Sequence, residues 1–101
     1  MSVNLGTYVF ETYESTALLQ DKSGIYAILC LSDEKYRVID VGESSQVKTR
    51  IEGHDREACW KKHCKGMIIY AVHYTPFVQQ AGRREIEQEL RKMYRPVCGD
   101  Q

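Results

Sequence analysis

The feature that most constrains the fold is an uninterrupted apolar run, GIYAILCL, over Gly24–Leu31. It is rich in β-branched, aromatic and aliphatic side chains, which is typical of a buried β-strand. A polar segment, residues 32–35, follows it, and residues 36–42 form a second run of strand-like composition. Because a short polar turn separates two strand-like runs, the sequence predicts a β-hairpin over residues 24–42.

A helix is expected directly after this hairpin. The apolar residues Val47, Ile51 and Ala58 recur at helical spacing between residue 45 and about residue 62. Ser44 or Ser45 is a suitable N-cap, because a serine side chain can accept a hydrogen bond from an amide of the first helical turn. The sequence therefore predicts one helix over residues 45–62.

The C-terminal third predicts one strand and one helix. Residues 67–74, MIIYAVHY, have strand composition and precede Thr75-Pro76. A helix then runs from about residue 77 or 80 to residue 94, with Ile86, Leu90 and Met93 on its core face; Pro96 prevents its extension. At the other end of the chain, residues 7–13 indicate a further strand and residues 14–20 a short helix.

The whole chain is expected to be one α+β domain, residues 1–101. Its 101 residues suffice for one hydrophobic core, and there is no repeat and no linker at which to divide it. An apolar fraction of 43% and a charged fraction of 28% exclude intrinsic disorder.

The sequence indicates a cytoplasmic protein that does not enter a membrane. No apolar run approaches the ~20 residues of a membrane helix, and the N-terminus lacks the pattern of a signal peptide. In a reducing compartment the four cysteines are expected to be free thiols that serve as core residues, metal ligands or nucleophiles. They are Cys30, Cys59, Cys64 and Cys98.

The charges are unevenly distributed, although the formal net charge is zero. Residues 1–45 contain three Lys or Arg and seven Asp or Glu, whereas residues 46–96 contain eleven and six. The second half can therefore present a basic face to an anionic partner. Solvated helix faces would explain the same counts.

Four short motifs occur in order along these elements. Gly24-Ile25-Tyr26 lies in the first strand and Asp40-Val41-Gly42 ends the second; Arg50 lies in the first helix and Glu87 in the second. In this order and on these elements, they resemble the motifs of the GIY-YIG nuclease superfamily. The resemblance covers about residues 23–99.

The resemblance implies both a fold and an activity. The fold is α+β, with a small three-stranded antiparallel sheet flanked by helices, and the activity is metal-dependent endonucleolytic hydrolysis of nucleic-acid phosphodiesters, with DNA as the partner. Tyr26 would orient or deprotonate the water, Arg50 would bind the transition-state phosphate, and Glu87 would hold Mg²⁺ or Mn²⁺. One carboxylate is enough, because Mg²⁺ usually keeps several of its waters. His54 shares a helix face with Arg50 and is a further candidate.

The chain also departs from the family pattern at three positions. Asp40 replaces the tyrosine that opens the second motif, Glu43 replaces a frequent lysine, and Gly99 replaces the usual asparagine. In an active site, Asp40 would serve as a second metal carboxylate or as a general base. The alternative is a catalytically silent module on the same scaffold that binds nucleic acid or protein.

Each candidate also has a simpler interpretation. Tyr26 is then a strand aromatic, Arg50 a solvated helix residue, and Glu87 the partner of an arginine one helical turn away on the same helix. Asp40 is harder to explain in this way, because an unpaired acid is costly to bury in an apolar strand.

A second group of candidate ligands could hold Zn²⁺. It comprises His54, Cys59, His63 and Cys64, with Cys98 near the C-terminus. The group contains no C-x-x-C pair, so buried thiols and core or surface histidines are the favoured explanation. A partner protein or a homodimer could supply selectivity that so small a domain lacks.

Overall fold

The computed structural model describes residues 1–99 and contains one five-stranded sheet. The strand order is β1-β2-β5-β3-β4, and every neighbouring pair is antiparallel. The strands are Ser2–Leu5 (β1), Tyr8–Tyr13 (β2), Gly24–Ser32 (β3), Lys35–Ser44 (β4) and Met67–Tyr74 (β5).

Three α-helices and one 3₁₀ turn complete the fold. They are Val47–Glu52 (α1), Glu57–His63 (α2), Gln80–Tyr94 (α3) and the turn Thr16–Leu18. The expected α+β class is confirmed, but the three-stranded sheet is wrong. β1 and β2 extend the sheet beyond β5, and each contributes one buried side chain, Leu5 and Phe10.

The predicted hairpin is confirmed as β3 and β4, which pair from Gly24 opposite Ser44 to Ser32 opposite Lys35. Its two turn residues, Asp33 and Glu34, have φ angles of 53° and 63°. Such left-handed two-residue turns match the twist of the flanking strands. β4 is thus an edge strand that pairs only with β3 among the described strands.

Alternate residues of β3 enter two separate cores, because successive side chains of a strand point to opposite faces. Tyr26 and Ile28 pack with α1 and α2 in one core, which also contains Trp60. Ile25 and Leu29 pack with α3 in the other core. The candidate Tyr26 therefore lies on the α1 and α2 face of the sheet.

The single helix predicted over residues 45–62 is wrong, because Gly53 ends α1 and α2 begins only at Glu57. The predicted serine cap is also wrong. Asp21, which lies 28 residues before Thr49, accepts hydrogen bonds from the Thr49 amide at 2.9 Å and the Thr49 hydroxyl at 2.6 Å. This carboxylate satisfies a first-turn amide of α1 from outside the helix.

The predicted strand over residues 67–74 is confirmed as β5, and the second helix as α3. On α3, Leu90 is buried and Ile86 half-buried, but Met93 is 54% exposed, so its placement in the core is wrong. No helix of the described residues is both long and apolar enough to cross a membrane.

All four cysteines form disulfides, Cys30–Cys64 and Cys59–Cys98. The expectation of free thiols is therefore wrong. Cys64 follows α2 directly and Cys59 lies within it, so both bridges anchor this seven-residue helix. Disulfides of this kind are typical of oxidising environments; the cytoplasmic location stays a prediction.

Candidate functional site

The centre of the candidate site is a buried contact between a phenol and an imidazole. The Tyr26 hydroxyl oxygen lies 2.6 Å from His54 Nε2, and Tyr26 is 1% exposed. Gly42, opposite Tyr26 on β4, makes room for this ring: a Cβ at residue 42 would overlap the phenol. The break between α1 and α2 directs His54 inward, toward Tyr26.

The hydrogen bonds of His54 fix the position of its proton. Its Nδ1 accepts the amide hydrogen of Arg56 at 3.0 Å, and a backbone amide can only donate. A neutral ring then carries its proton on Nε2 and donates it to the Tyr26 oxygen. The Asp55 carboxylate, 3.2 Å from Nδ1, is exposed and also contacts Arg50.

Burial keeps both members of this pair uncharged at neutral pH. It lowers the pKa of His54 to about 4, and the nearby Arg50 and Arg56 act in the same direction. Burial raises the pKa of Tyr26 to about 12, although the same two arginines oppose this shift. The phenol therefore accepts from His54 and keeps its own proton for donation to another group.

Asp40 is fully buried and surrounded by donors. Its Oδ2 accepts from Arg56 Nε at 2.8 Å and from the Trp60 indole at 2.7 Å. Its Oδ1 accepts from Arg91 at 2.6 Å and from the Val41 amide at 2.9 Å. The acid in the apolar strand is thus paired, as the cost of burying it requires.

The three departures from the family pattern belong to one set of contacts between β4 and α3. Asp40 binds Arg91, and Glu43 binds Arg83 with an Nε–Oε2 distance of 2.9 Å. Gly99, with a φ of 95°, adopts a conformation that favours glycine, and a Cβ there would overlap the Arg91 guanidinium. Arginines of α3 therefore pair with both acids and neutralise their charges.

Arg50 and Glu87 lie at the periphery of this network. Arg50 contacts the exposed Asp55 at 3.1 Å. Glu87 lies 3.5 Å from Arg91 on the same helix, so the simpler interpretation of an i, i+4 pair describes a real contact. Burial raises the pKa of Glu87, and Arg91 opposes this shift.

Of the five predicted site residues, all of them described, Tyr26 and His54 are the pair joined by a hydrogen bond. α3 packs on the opposite face of the sheet from Tyr26, but Arg91 reaches Asp40 and so connects α3 to the α2 side. The charge of Glu87 also acts on the pKa of Tyr26. The site is therefore one electrostatic network around β4, with a buried phenol at its centre.

No family model, curated protein or solved structure matches the chain. The resemblance to GIY-YIG nucleases therefore depends on the motif residues themselves.

The described residues contain no group of three or more His, Cys, Asp or Glu that could hold a metal ion. Because the cysteines are bonded to one another, none is available as a thiolate for Zn²⁺. Glu87 fits the single-carboxylate arrangement that Mg²⁺ or Mn²⁺ accepts, since a cation would compensate its desolvated charge. The sequence analysis did not identify Arg56, Trp60 and Arg91 as the partners of Asp40. The one available signal was the cost of burying an unpaired acid, which pointed to cationic partners.

Proposed function

We propose that the protein is a metal-dependent phosphodiesterase that acts on nucleic acid, with Tyr26 and His54 at its catalytic centre. The observation that carries the proposal is the 2.6 Å contact between these two side chains. A phenol that accepts from a neutral imidazole is oriented by it, and its own proton remains available for a water or phosphate oxygen.

His54 would also stabilise the phenolate if Tyr26 lost its proton. The Nε2–H donor would then face a full negative charge, and charge-assisted hydrogen bonds are about twice as strong as neutral ones. Arg50 and Arg56 act in the same direction, because both lower the pKa of Tyr26. These positive charges suit a site in which negative charge develops during the reaction.

Glu87 is the residue proposed to hold Mg²⁺ or Mn²⁺. When bound, the cation supplies charge neutralisation at the phosphate. We assign Asp40 a positioning role, because its two oxygens already accept from Arg56, Trp60 and Arg91. It holds Arg56, which in turn donates its amide hydrogen to His54.

The second candidate function is a silent module that binds nucleic acid on the same scaffold. The near-complete burial of Tyr26 favours it, because a phenol that is 1% exposed cannot reach a substrate without movement of its surroundings. The two candidates differ in whether binding leads to cleavage.

The test is cleavage of end-labelled DNA and RNA by purified protein with Mg²⁺ or Mn²⁺. Tyr26→Phe should lower the rate by about 10²–10⁴-fold, the usual contribution of a positioned acid or base. Glu87→Gln should also lower the rate strongly, because it removes the carboxylate proposed to hold the metal ion. Tyr70→Phe and Glu85→Gln are the matched controls. Each removes the same chemical group from a neighbouring strand or from the same helix, and both should retain the wild-type rate.

Two results would contradict the enzyme. Cleavage that survives both Tyr26→Phe and Glu87→Gln would come from another site or from a contaminant. Binding of nucleic acid without cleavage, under either metal, would instead establish the silent module.

A further inference from the structure

A basic cavity lies apart from the candidate site, where the β3–β4 hairpin meets the end of α2. Its volume is about 450 Å³. Four cationic side chains line it: Lys35, Arg37, Lys62 and Lys65. The other lining residues are Cys30, Ser32, Tyr36, His63 and Gly66, so no described lining residue is acidic.

The cations of the basic cavity differ from those of the candidate site in lacking acidic partners. Arg50, Arg56, Arg83 and Arg91 all contact carboxylates, which cancel most of their field. Lys35, Lys62 and Lys65 are exposed, and no ion pair joins them to any residue between 1 and 99. The cavity lining therefore concentrates positive charge in one concave place, although the acids Asp33 and Glu34 lie in the adjacent hairpin turn.

The walls of the basic cavity are held together covalently and by a hydrogen bond. The Cys30–Cys64 disulfide joins β3 to the residue after α2. The Arg37 side chain donates to the carbonyl of His63, the last residue of α2. Lys35 on one wall thus stays opposite Lys62 and Lys65 on the other, which reduces the ordering cost of binding between them.

We propose that the basic cavity binds the phosphodiester backbone of nucleic acid outside the candidate site. The choice of nucleic acid as the ligand rests on the proposed function. The evidence for a binding site at the cavity is its concave shape and its lysines, which have no ion-pair partners among residues 1–99. Phosphates are recognised by such lysines as point charges, without reading of the bases.

The position of the basic cavity suits a strand that also reaches the candidate site. Ser32, at the cavity, lies six residues along β3 from Tyr26. At about 3.3 Å per residue this is roughly 20 Å, or about six nucleotide steps of a duplex strand. A substrate held in the basic cavity would therefore extend about half a helical turn from the proposed point of cleavage.

The test is fluorescence anisotropy with labelled single-stranded and duplex DNA, in a chelator that prevents cleavage, from 50 to 200 mM salt. The test variant carries Lys35→Gln, Lys62→Gln and Lys65→Gln; the control carries Lys22→Gln, Lys61→Gln and Lys92→Gln. Both lose the same formal charge. The test variant should reduce the slope of log K against log salt by about 2–3. Over this salt range the wild type should then weaken about 16- to 64-fold more than the test variant.

Equal losses in the two variants would overturn the proposal, because the effect would then come from net charge alone. Tighter binding of a labelled poly-glutamate peptide, with the same sensitivity to the test variant, would overturn the choice of nucleic acid. The outcome is independent of catalysis. Cleavage with unchanged salt slopes would contradict only the basic cavity, and reduced slopes without any cleavage would contradict only the enzyme.

Discussion

Replacing Asp40 by Asn should destabilise the fold far more than any exposed charge change. The carboxylate is 0% exposed and accepts from Arg56, Arg91 and Trp60. Asn keeps the shape but loses the charge, and one of its two terminal atoms becomes a donor that faces donors. Removing one partner of a buried ion pair costs about 3–5 kcal/mol. We expect a loss of this size for Asp40→Asn.

Urea denaturation followed by Trp60 fluorescence measures this loss directly, because the chain has one tryptophan and its indole donates to Asp40. With a urea dependence of about 2 kcal/mol per M, the midpoint should fall by roughly 1.5–2.5 M. The matched control is Asp55→Asn, whose carboxylate is 75% exposed and contacts Arg50. This substitution should lower the midpoint far less, because solvent screens an exposed ion pair.

A loss below about 1 kcal/mol for Asp40→Asn would refute the reasoning, because Arg56 and Arg91 would then not depend on the carboxylate. If Asp40→Asn left the stability unchanged but strongly lowered cleavage, Asp40 would instead act as a metal carboxylate or a general base. A fall in stability with normal cleavage by the folded fraction would show that Asp40 is only structural, whereas a fall in both would support its role in positioning Arg56 and His54.

Three further predictions concern the same network. The stability contribution of a neutral His54 is complete above its ordinary pKa of about 6.5 and is lost as pH falls toward 4. Between these pH values the free energy of unfolding of the wild type should therefore fall by about 3 kcal/mol, and His54→Gln should lack this fall. Gly42→Ala should cost about 1–3 kcal/mol by displacing the Tyr26 ring, and the pH dependence that arises from His54 should change with it. Gly99→Ala should displace Arg91 and lower stability by about 1–3 kcal/mol; an unchanged melting temperature would show that the guanidinium adapts freely.

Local patterns predicted the parts of the fold that depend on local chemistry. The apolar runs predicted β5 with correct bounds and β3 to within one residue, and polar residues 32–35 predicted the hairpin turn. β1 was missed although Ser2-Val3-Asn4-Leu5 alternates polar and apolar residues, because four residues with a single buried side chain are too short for periodicity to identify a strand. β1 forms because it pairs with the edge of β2. This cause is a tertiary contact, which a four-residue segment does not encode.

The sequence predicted individual residues of the candidate site but not the contacts between them. Periodicity placed Arg50 and His54 on one continuous helix, whereas Gly53 interrupts it and turns His54 toward Tyr26. The glycine was a visible signal for that break. The partners of Asp40 lie 16, 20 and 51 residues away, so no spacing rule along one element could have found them.

The two disulfides overlap along the chain, because Cys59 lies inside the loop closed by Cys30–Cys64, and Cys64 lies inside the loop closed by Cys59–Cys98. A backbone cut anywhere between residues 30 and 98 therefore leaves two pieces that at least one bridge still joins. A protease that nicks an exposed loop in this region cannot release a fragment from the oxidised protein. Under non-reducing conditions the nicked and intact chains have nearly the same mass, and only a reductant separates the pieces.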